Sequence, residues 1–474
     1  MSLEAAAHVH VGPLHGTGLF VMGSNRFSQL SGASSTEGQM PRLLLPGMLQ
    51  GQEPMQIAAS WRNTYVLTRD RQLFQFGVKD LTGNSNAGGG GGGRRAAGTG
   101  QGPVRLSTNP LKRAAQEKEE AERVRRLGRP WVVESLDLAQ HRVEKVACGW
   151  QHSLLLTHAA VVMSWGFGGY GALGHGTKYS TVAPRIIDAL LGQHVVSIAA
   201  GSYSSFALTA IAVIPDHSSA GAGTRRRRLM RNNGHPPGAA CSSAEHVQGR
   251  ERSTGGVLWS WGWGKSGQLG QGHCRNVLVP RAVEEVDGNA PVPPVVAAAC
   301  GHEHLLVLTK AGRVLSCGSG KNGRLGYVCS TEEWRLRSVE EDAAGNSLVW
   351  VAQIAAGFAH SALLDHQGDV LTCGQGAHGA LGHSFPPPAK PPGGGSLHAS
   401  LSSDGFTSPI VADSPLFRKV PLPRQVSGVV CGGFFTAAVV DGEDDLGVLV
   451  SGSEVWTFGR NEFRQVSFET LLPL

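Results

Sequence analysis

The stretch WSWGWGKSGQLGQG, residues 259–272, holds two arrangements that do chemistry in other chains. Gly262, Gly264 and Gly267 spell G-x-G-x-x-G, the spacing with which a strand-to-helix turn lays its backbone against a pyrophosphate. Gly264-Lys265-Ser266 reads like the end of a phosphate-cradling loop. Neither has the surroundings it needs. A dinucleotide turn is used once and opens a helix whose N-terminus faces the phosphates. Here the pattern occurs four times, starting at 166, 262, 318 and 374, and each copy runs into Leu-Gly with no helix signal. The phosphate loop also needs a glycine five residues before Gly264, and that position is Trp259. The glycines therefore read as backbone devices, giving tight turns at positive φ and close approaches where a Cβ would not fit. No cofactor is expected.

Histidine and cysteine are the other reactive types. His152, His304 and His360 each stand three residues after a glycine, and related stretches carry Asn63, Ser204 and Phe435 there. A metal site or a catalytic dyad would need such side chains to converge. One polar residue per copy reads instead as a group satisfying backbone atoms of its own copy. No catalytic residue and no metal ligand is expected. Cys148, Cys300 and Cys431 all precede a glycine, Cys317 and Cys373 share another position, and no C-x-x-C occurs. They read as small buried hydrophobes in a reducing compartment.

These residues recur because the chain is built of two alternating patterns. A head reads VACGWQHSLLLT (146–157) or AACGHEHLLVLT (298–309), with glycines at Gly149, Gly201, Gly301, Gly357 and Gly432 and a serine, Ser60, in a sixth copy. A tail reads VVMSWGFGGYGALGHG (161–176) or VLTCGQGAHGALGHS (370–384). Its lead glycines are Gly23, Gly77, Gly166, Gly262, Gly318, Gly374 and Gly459, and uninterrupted copies lie 54 or 56 residues apart. Runs of alternating apolar and small or polar residues between glycine turns are strands. About 50 residues with several short strands is one blade of a β-propeller. Seven tails predict an all-β, seven-bladed propeller. Trp165 and Trp261 lie in tail strands and are expected in its core.

Heads with A-C-G-x-x-H-S, tails with W-G-x-G-x-x-G-x-L-G and a following Pro-Arg (41–42, 184–185, 280–281, 423–424) resemble the repeat of the regulator of chromosome condensation (RCC1-like) family. The resemblance covers about residues 17–86 and 143–467 and places the propeller over 17–474. In that family the ring closes when C-terminal strands complete the first blade. Here FETLLPL ends the chain soon after tail 7, and LEAAAHVHVG (3–12) lacks the head glycine, so a ring incompletely closed at its C-terminus is expected. The plant ultraviolet-B photoreceptor of this fold gathers tryptophans on one face. Only CGWQHS (148–153) and ASWRNT (59–64) come near its heads, so no light-sensing cluster is expected.

Three insertions interrupt the repeat, at 87–141, 211–254 and 385–425. The first begins with a glycine-rich linker and continues as LKRAAQEKEEAERVRRLG (111–128), a charged helix by propensity. The second contains Arg225, Arg226, Arg227, Arg228 and Arg231, and the third is rich in Pro, Gly and Ser. Together they hold 21 Lys+Arg and 11 Asp+Glu, a net of +10, against +6 for the whole chain. The basic character is thus in the insertions. The five arginines are the candidate contact to a partner, to chromatin or to a nucleic-acid backbone, or a nuclear import signal. No aromatic interleaving marks a base-stacking surface along the sequence.

Three functions remain open at this point. A non-enzymatic protein-interaction scaffold leads, because no nucleophile, base and oxyanion site assemble. The resemblance implies a guanine nucleotide exchange factor for a Ran-like or other small GTPase as an alternative. In the family, exchange on Ran uses a polar wedge in one tail, and only GVKDLTGNSN (77–86) could host its counterpart. A chromatin-associated or ubiquitin-pathway adaptor is the third. No run of about 18 apolar residues and no secretory signal is present, so no membrane partner and a cytoplasmic or nuclear location are expected.

Overall fold

The structure is a computed structural model that describes residues 19–24, 37–44, 49–77, 131–210, 256–383, 412–440 and 454–459, apart from 62, 287–289, 349 and 423. The period-two patterning produces strands of five or six residues, and each head and its tail fold into one antiparallel sheet. Six such blades follow one another, and we label them A to F. Blade A is Pro54–Ala59, Asn63–Thr68, Leu73–Gly77 and Trp131–Val132. Blade B is Val143–Cys148, His152–Thr157, Val162–Gly166 and Thr181–Ile186. Blade C is Val195–Ala200, Ser204–Thr209, Val257–Gly262 and Val277–Ala282. Blade D is Val295–Cys300, His304–Thr309, Val314–Ser319 and Glu332–Val339, extended by two short strands. Blade E is Val351–Ala356, His360–Asp365, Val370–Gly374 and Ser414–Lys419. Blade F is Val426–Cys431, Phe435–Val440 and Glu454–Gly459.

The head supplies the first two strands of every blade and the tail the third. The Pro-Arg pairs at 184–185 and 280–281 fall in fourth strands, at the sheet edge, where the missing proline N–H breaks no ladder. Neighbouring blades meet along their first strands. Six blades are present among the described residues. Tail 1, Leu19–Ser24, pairs only with Glu37–Leu44 in a two-stranded sheet. Among the described residues no head strand pairs with it. The segments tied to ring closure, 3–12 and 468–474, lie outside the described residues.

Alternation of strand direction puts the head turn and the turn between strands three and four at one end of each blade. The turn between strands two and three lies at the other end, with the link to the next blade. Residues 78–130 and 384–411 therefore leave blades A and E at the head end. Residues 211–255, with Arg225–Arg228 and Arg231, leave blade C at the opposite end. Trp131–Val132 and Ser414–Lys419 are outer strands, so the blades resume inside the ranges 87–141 and 385–425. The linker, the charged helix and the five arginines themselves lie outside the described residues.

Between blades the core is continuous. Trp165 and Trp261 are both fully buried, as expected of tail-strand residues. The Trp261 indole N–H donates to the Ala172 carbonyl of the preceding blade at 2.9 Å, and that of Trp165 donates to the Tyr65 hydroxyl at 3.2 Å. The seven described cysteines are free, and burial pushes the thiols of Cys148 and Cys431 up to about 12.

The lead glycines of the tails are needed for conformation and for space. Gly262 has φ of 101°, and a Cβ on it would lie 2.5 Å from the Tyr203 carbonyl oxygen. Gly262→Ala is therefore expected to cost more than about 2 kcal/mol in urea unfolding. Lys265→Ala, on the exposed turn that mimics a phosphate loop, should change stability by less than about 0.5 kcal/mol.

Candidate functional site

The head turn is closed by a backbone hydrogen bond from the glycine N–H to the carbonyl three residues on, as in Gly149 to His152 at 2.8 Å and Gly301 to His304 at 2.9 Å. The histidine ring then folds back over the glycine. A Cβ on Gly149, Gly301 or Gly357 would lie 2.1 to 2.2 Å from the Cε1 of His152, His304 or His360. It would also lie 2.5 to 2.6 Å from the carbonyl oxygen of the next blade's head glycine: Gly201, Gly357 or Gly432. Gly201 itself faces the Gly301 oxygen. The head glycines thus stack from blade to blade around the axis. Blade A carries Ser60 in place of the glycine and Asn63 in place of the histidine, so no ring competes with the serine Cβ.

The histidines do not serve their own blades, and that expectation is overturned. Each reaches a hydroxyl of the next blade: His152 to Ser205 at 2.9 Å, His304 to Ser361 at 3.0 Å and His360 to Thr436 at 3.0 Å. Each hydroxyl donates its proton to a tail carbonyl of the histidine's blade: Ala172, Arg324 and Ala380, at 2.7, 2.7 and 2.9 Å. The hydroxyl therefore accepts from imidazole Nε2–H, which fixes the tautomer. Burial pushes the His360 imidazole down to about 4 and that of His304 well below its ordinary value. Where blade D offers Leu305 instead of a hydroxyl, blade C has Ser204 instead of histidine. The own-blade role falls to tail hydroxyls. Ser164, Ser260, Ser316 and Thr372 donate to the carbonyls of Leu173, Leu269, Leu325 and Leu381 at 2.6 to 2.8 Å.

The residue after the head glycine is set by the same stack. Trp150 N–H donates to Ser202 O at 3.1 Å, His302 N–H to Phe358 O at 3.3 Å, and Phe358 N–H to Gly433 O at 2.8 Å. These bonds run between blades, so the side chains at this position are brought over one another at the mouth of the central channel. His302 and Phe358 stack with ring centroids 4.3 Å apart and planes 12° apart. Trp150 lies 5.0 Å from His302 at 24° and 5.9 Å from Phe358 at 23°. Rings from the neighbouring turns extend the set: Tyr203, Phe167, Tyr170 and Trp263 on one side, Phe434 and His378 on the other. Five blades contribute to this one half-buried aromatic surface. Burial holds His302 neutral, with its pKa pushed down to about 4, and its Nδ1 lies 2.8 Å from the Ser202 hydroxyl. The cavity in the mouth is only about 30 Å³.

A second feature lies at the opposite end, between blades D and E. A groove of about 870 Å³ runs beside Trp350, whose side chain is 67% exposed. Trp350 has φ of 70°, which costs about 1–2 kcal/mol for a residue with a Cβ. The strain is held by backbone bonds from Val351 N–H to Gly312 O at 3.0 Å and from His366 N–H to Trp350 O at 3.1 Å. The groove is lined by Leu371 and Phe417 and by charged Asp342, Asp365, Arg418 and an Asp369–Lys419 pair.

Among the described residues no three His, Cys, Asp or Glu side chains converge as a metal site would require. No described helix is long and apolar enough to cross a membrane. Arg225–Arg228 and Arg231 lie outside the described residues. Of the repeat-defining glycines, Gly149, Gly201, Gly301, Gly357 and Gly432 directly follow a first strand, Gly166, Gly262, Gly374 and Gly459 end a third strand, and Gly318 is next to last in one. The aromatic surface was missed because its members are scattered from position 150 to position 434. The recurrence of Trp, His and Phe directly after head glycines was the available signal.

Repeated antiparallel blades, joined edge to edge through their first strands, define the class as a β-propeller. Residues 161–208 and 255–308 match the regulator of chromosome condensation (RCC1) repeat, and residues 295–324 match a second profile of it. The chain thus contains RCC1 repeats over these residues. It is 28% identical over 255 residues to the human E3 ubiquitin-protein ligase HERC2, covering 54% of this chain and 4% of that one. It is 28% identical over 265 residues to the ultraviolet-B receptor UVR8 of Arabidopsis thaliana, covering 54% of this chain and 58% of that one. The chain thus spans less than two thirds of the length of either relative. Among solved structures, human WBSCR16 is similar with a TM-score of 0.58 and 20% identity, over 89% of this chain and 82% of that one. Yeast RCC1 (Prp20), solved with Kap60, also gives 0.58, at 17% identity over 95% and 80% of the two chains. Both likenesses are of fold.

The buried histidines make stability depend on pH. Unfolded, an imidazole takes a proton near pH 6.5; folded, His360 does so only near 4. The stabilisation of the neutral ring is present above 6.5 and is lost as pH falls from 6.5 through 4. For His360 alone this is on the order of 3 kcal/mol. Urea unfolding followed from pH 7.5 to 4 should show the midpoint falling below about 6.5, and His360→Gln should flatten the dependence.

Proposed function

We propose that the chain is a non-enzymatic protein-interaction scaffold. The observation that carries this reading is Trp350, a two-thirds-exposed indole held in a left-handed conformation at the rim of a groove of about 870 Å³. Backbone strain of this kind persists where surrounding structure enforces it, and it clusters at functional positions. A large rigid aromatic beside a pocket with Arg and Asp at its edge has the anatomy of a protein-contact hot spot. The RCC1 repeats agree with such a role, since a propeller offers two loop-bearing ends. Exchange activity on a small GTPase is the alternative that the family resemblance brings. It would act by binding the nucleotide-free GTPase better than the loaded one. Residues 78–86, the one counterpart of an exchange wedge, lie outside the described residues. A ubiquitin-pathway or chromatin adaptor is a narrower form of the scaffold reading, with Arg225–Arg231 the chromatin or nuclear-import element.

We also propose that the Leu19–Ser24 and Glu37–Leu44 pair is the outer half of a seventh blade.

Purified protein should be tested against small GTPases, core histones and ubiquitin-conjugating enzymes. Trp350→Ala is expected to weaken the partner that binds by at least about tenfold, with an unchanged melting temperature. Equal binding by the Trp350→Ala protein for every partner found would overturn the groove as the contact. Labelled GDP release from the same GTPases checks the alternative, which fails without acceleration. Deleting residues 225–231 should reduce nuclear retention if that run is an import or chromatin element.

A further inference from the structure

We infer that the aromatic mouth of the channel is a binding surface for single-stranded nucleic acid. This does not rest on the Trp350 groove, which lies at the other end of the propeller. Three features of the mouth lead to it. First, Trp150, His302 and Phe358 are nearly parallel, with planes 12 to 24° apart. Trp263 and Tyr170 flank the stack, and Tyr170 is 37% exposed. A flat base extends such an array, and stacking is indifferent to base identity.

Second, exposed cations stand on the same tail turns that carry Tyr170 and Trp263. Lys265 and Lys321 hold equivalent positions in the tail turns of blades C and D, two residues beyond Trp263 and Ser319. Lys178 and Arg275 stand on the returning limbs of the turns of blades B and C. All four are exposed, and none is paired with a carboxylate among the described residues. Glu303, next to His302 in the chain, is engaged by Arg324 at 3.4 Å. On the returning limbs of blades D and E the exposed carboxylates are Glu332 and Asp413, the latter taken up by Asn322 at 2.8 Å and the Gly376 N–H at 3.0 Å, so the free charge beside Tyr170 and Trp263 is cationic and suits an anionic ligand.

Third, the cavity in the mouth is small. A protein partner anchors by filling a cavity with a large side chain, and here the cavity is about 30 Å³, room for a single water. Base stacking needs a flat face and no cavity. Duplexes hide their base faces, so the strand must be unpaired.

The test is fluorescence anisotropy with labelled 20-nucleotide mixed-sequence RNA and DNA, single-stranded and duplex, on the full chain. Single strands should bind at least about tenfold tighter than duplexes, with quenching of tryptophan emission. Tyr170→Ala and Trp263→Ala should each weaken binding roughly tenfold. Lys265→Ala with Lys321→Ala should lower the slope of log K against log salt by about 1.4, at 0.7 per phosphate contact. Both lysines are exposed, so this variant keeps the fold if Trp263→Ala does not. Alanine at Arg225–Arg228 and Arg231 should leave single-strand preference intact. The inference is overturned if duplex binds equally well. It is also overturned if only the five-arginine variant loses binding. Binding of a poly-glutamate peptide in place of RNA would overturn it as well, making the mouth a site for an acidic protein.

Discussion

Everything in this molecule depends on how one blade closes against the next at the head turn. A single four-stranded sheet has two faces and cannot bury both. Its first strand, nearest the axis, also leaves little room for side chains between blades. The chain meets this with a glycine that lets the next blade's carbonyl approach and a histidine that lies over the glycine. The histidine then donates to a hydroxyl of the next blade, and that hydroxyl donates back to a tail carbonyl. Two hydrogen bonds with fixed direction cross each such boundary, at a place too tight for water. Because the imidazole is buried and neutral, the same bonds make the ring acid-sensitive.

Other boundary contacts follow the same geometry with different chemistry. Gln56 and Gln353 lay a side-chain amide along the next blade's first strand. Gln56 Nε2 donates to Val146 O at 3.0 Å, and Gln353 Nε2 donates to Val429 O at 2.9 Å. Their Oε1 atoms accept from the N–H groups of the same two residues. The amide imitates a missing peptide group. At the equivalent place Lys145 donates to Val196 O at 2.9 Å. Each device joins blades without requiring a β-ladder between them.

The closure also creates the surface at the channel mouth. Once head glycines stack, the residue after each glycine is carried over its neighbours, and inter-blade backbone bonds hold it there. Trp150, His302 and Phe358 become parallel for that reason, although nothing in their local sequences favours stacking. At the other end, the links between blades are longer and less constrained. There the chain holds Trp350 in an unfavourable conformation beside an open groove. The two ends differ in kind, one closed over by stacked rings and the other opened by a groove.

By itself the sequence determined the class of fold, the spacing of the repeats and the irrelevance of the phosphate-loop look-alikes. These follow from period-two patterning and from glycines recurring at one spacing, both local properties. Burial of Trp165 and Trp261 was legible for the same reason. The tertiary structure alone decided the partners of His152, His304 and His360. A hydroxyl 53, 57 or 76 residues away in the chain is a neighbour only after blades pack. It alone put scattered aromatics on one face, and it separated the basic insertion 211–255 from that face. Strand alternation sets the end at which an insertion leaves, and this is known only once each segment is assigned to a turn. The pairing of histidine with hydroxyl, and of serine with leucine where both are absent, was present in the sequence. It could be read only after adjacent blades were known to touch at that position.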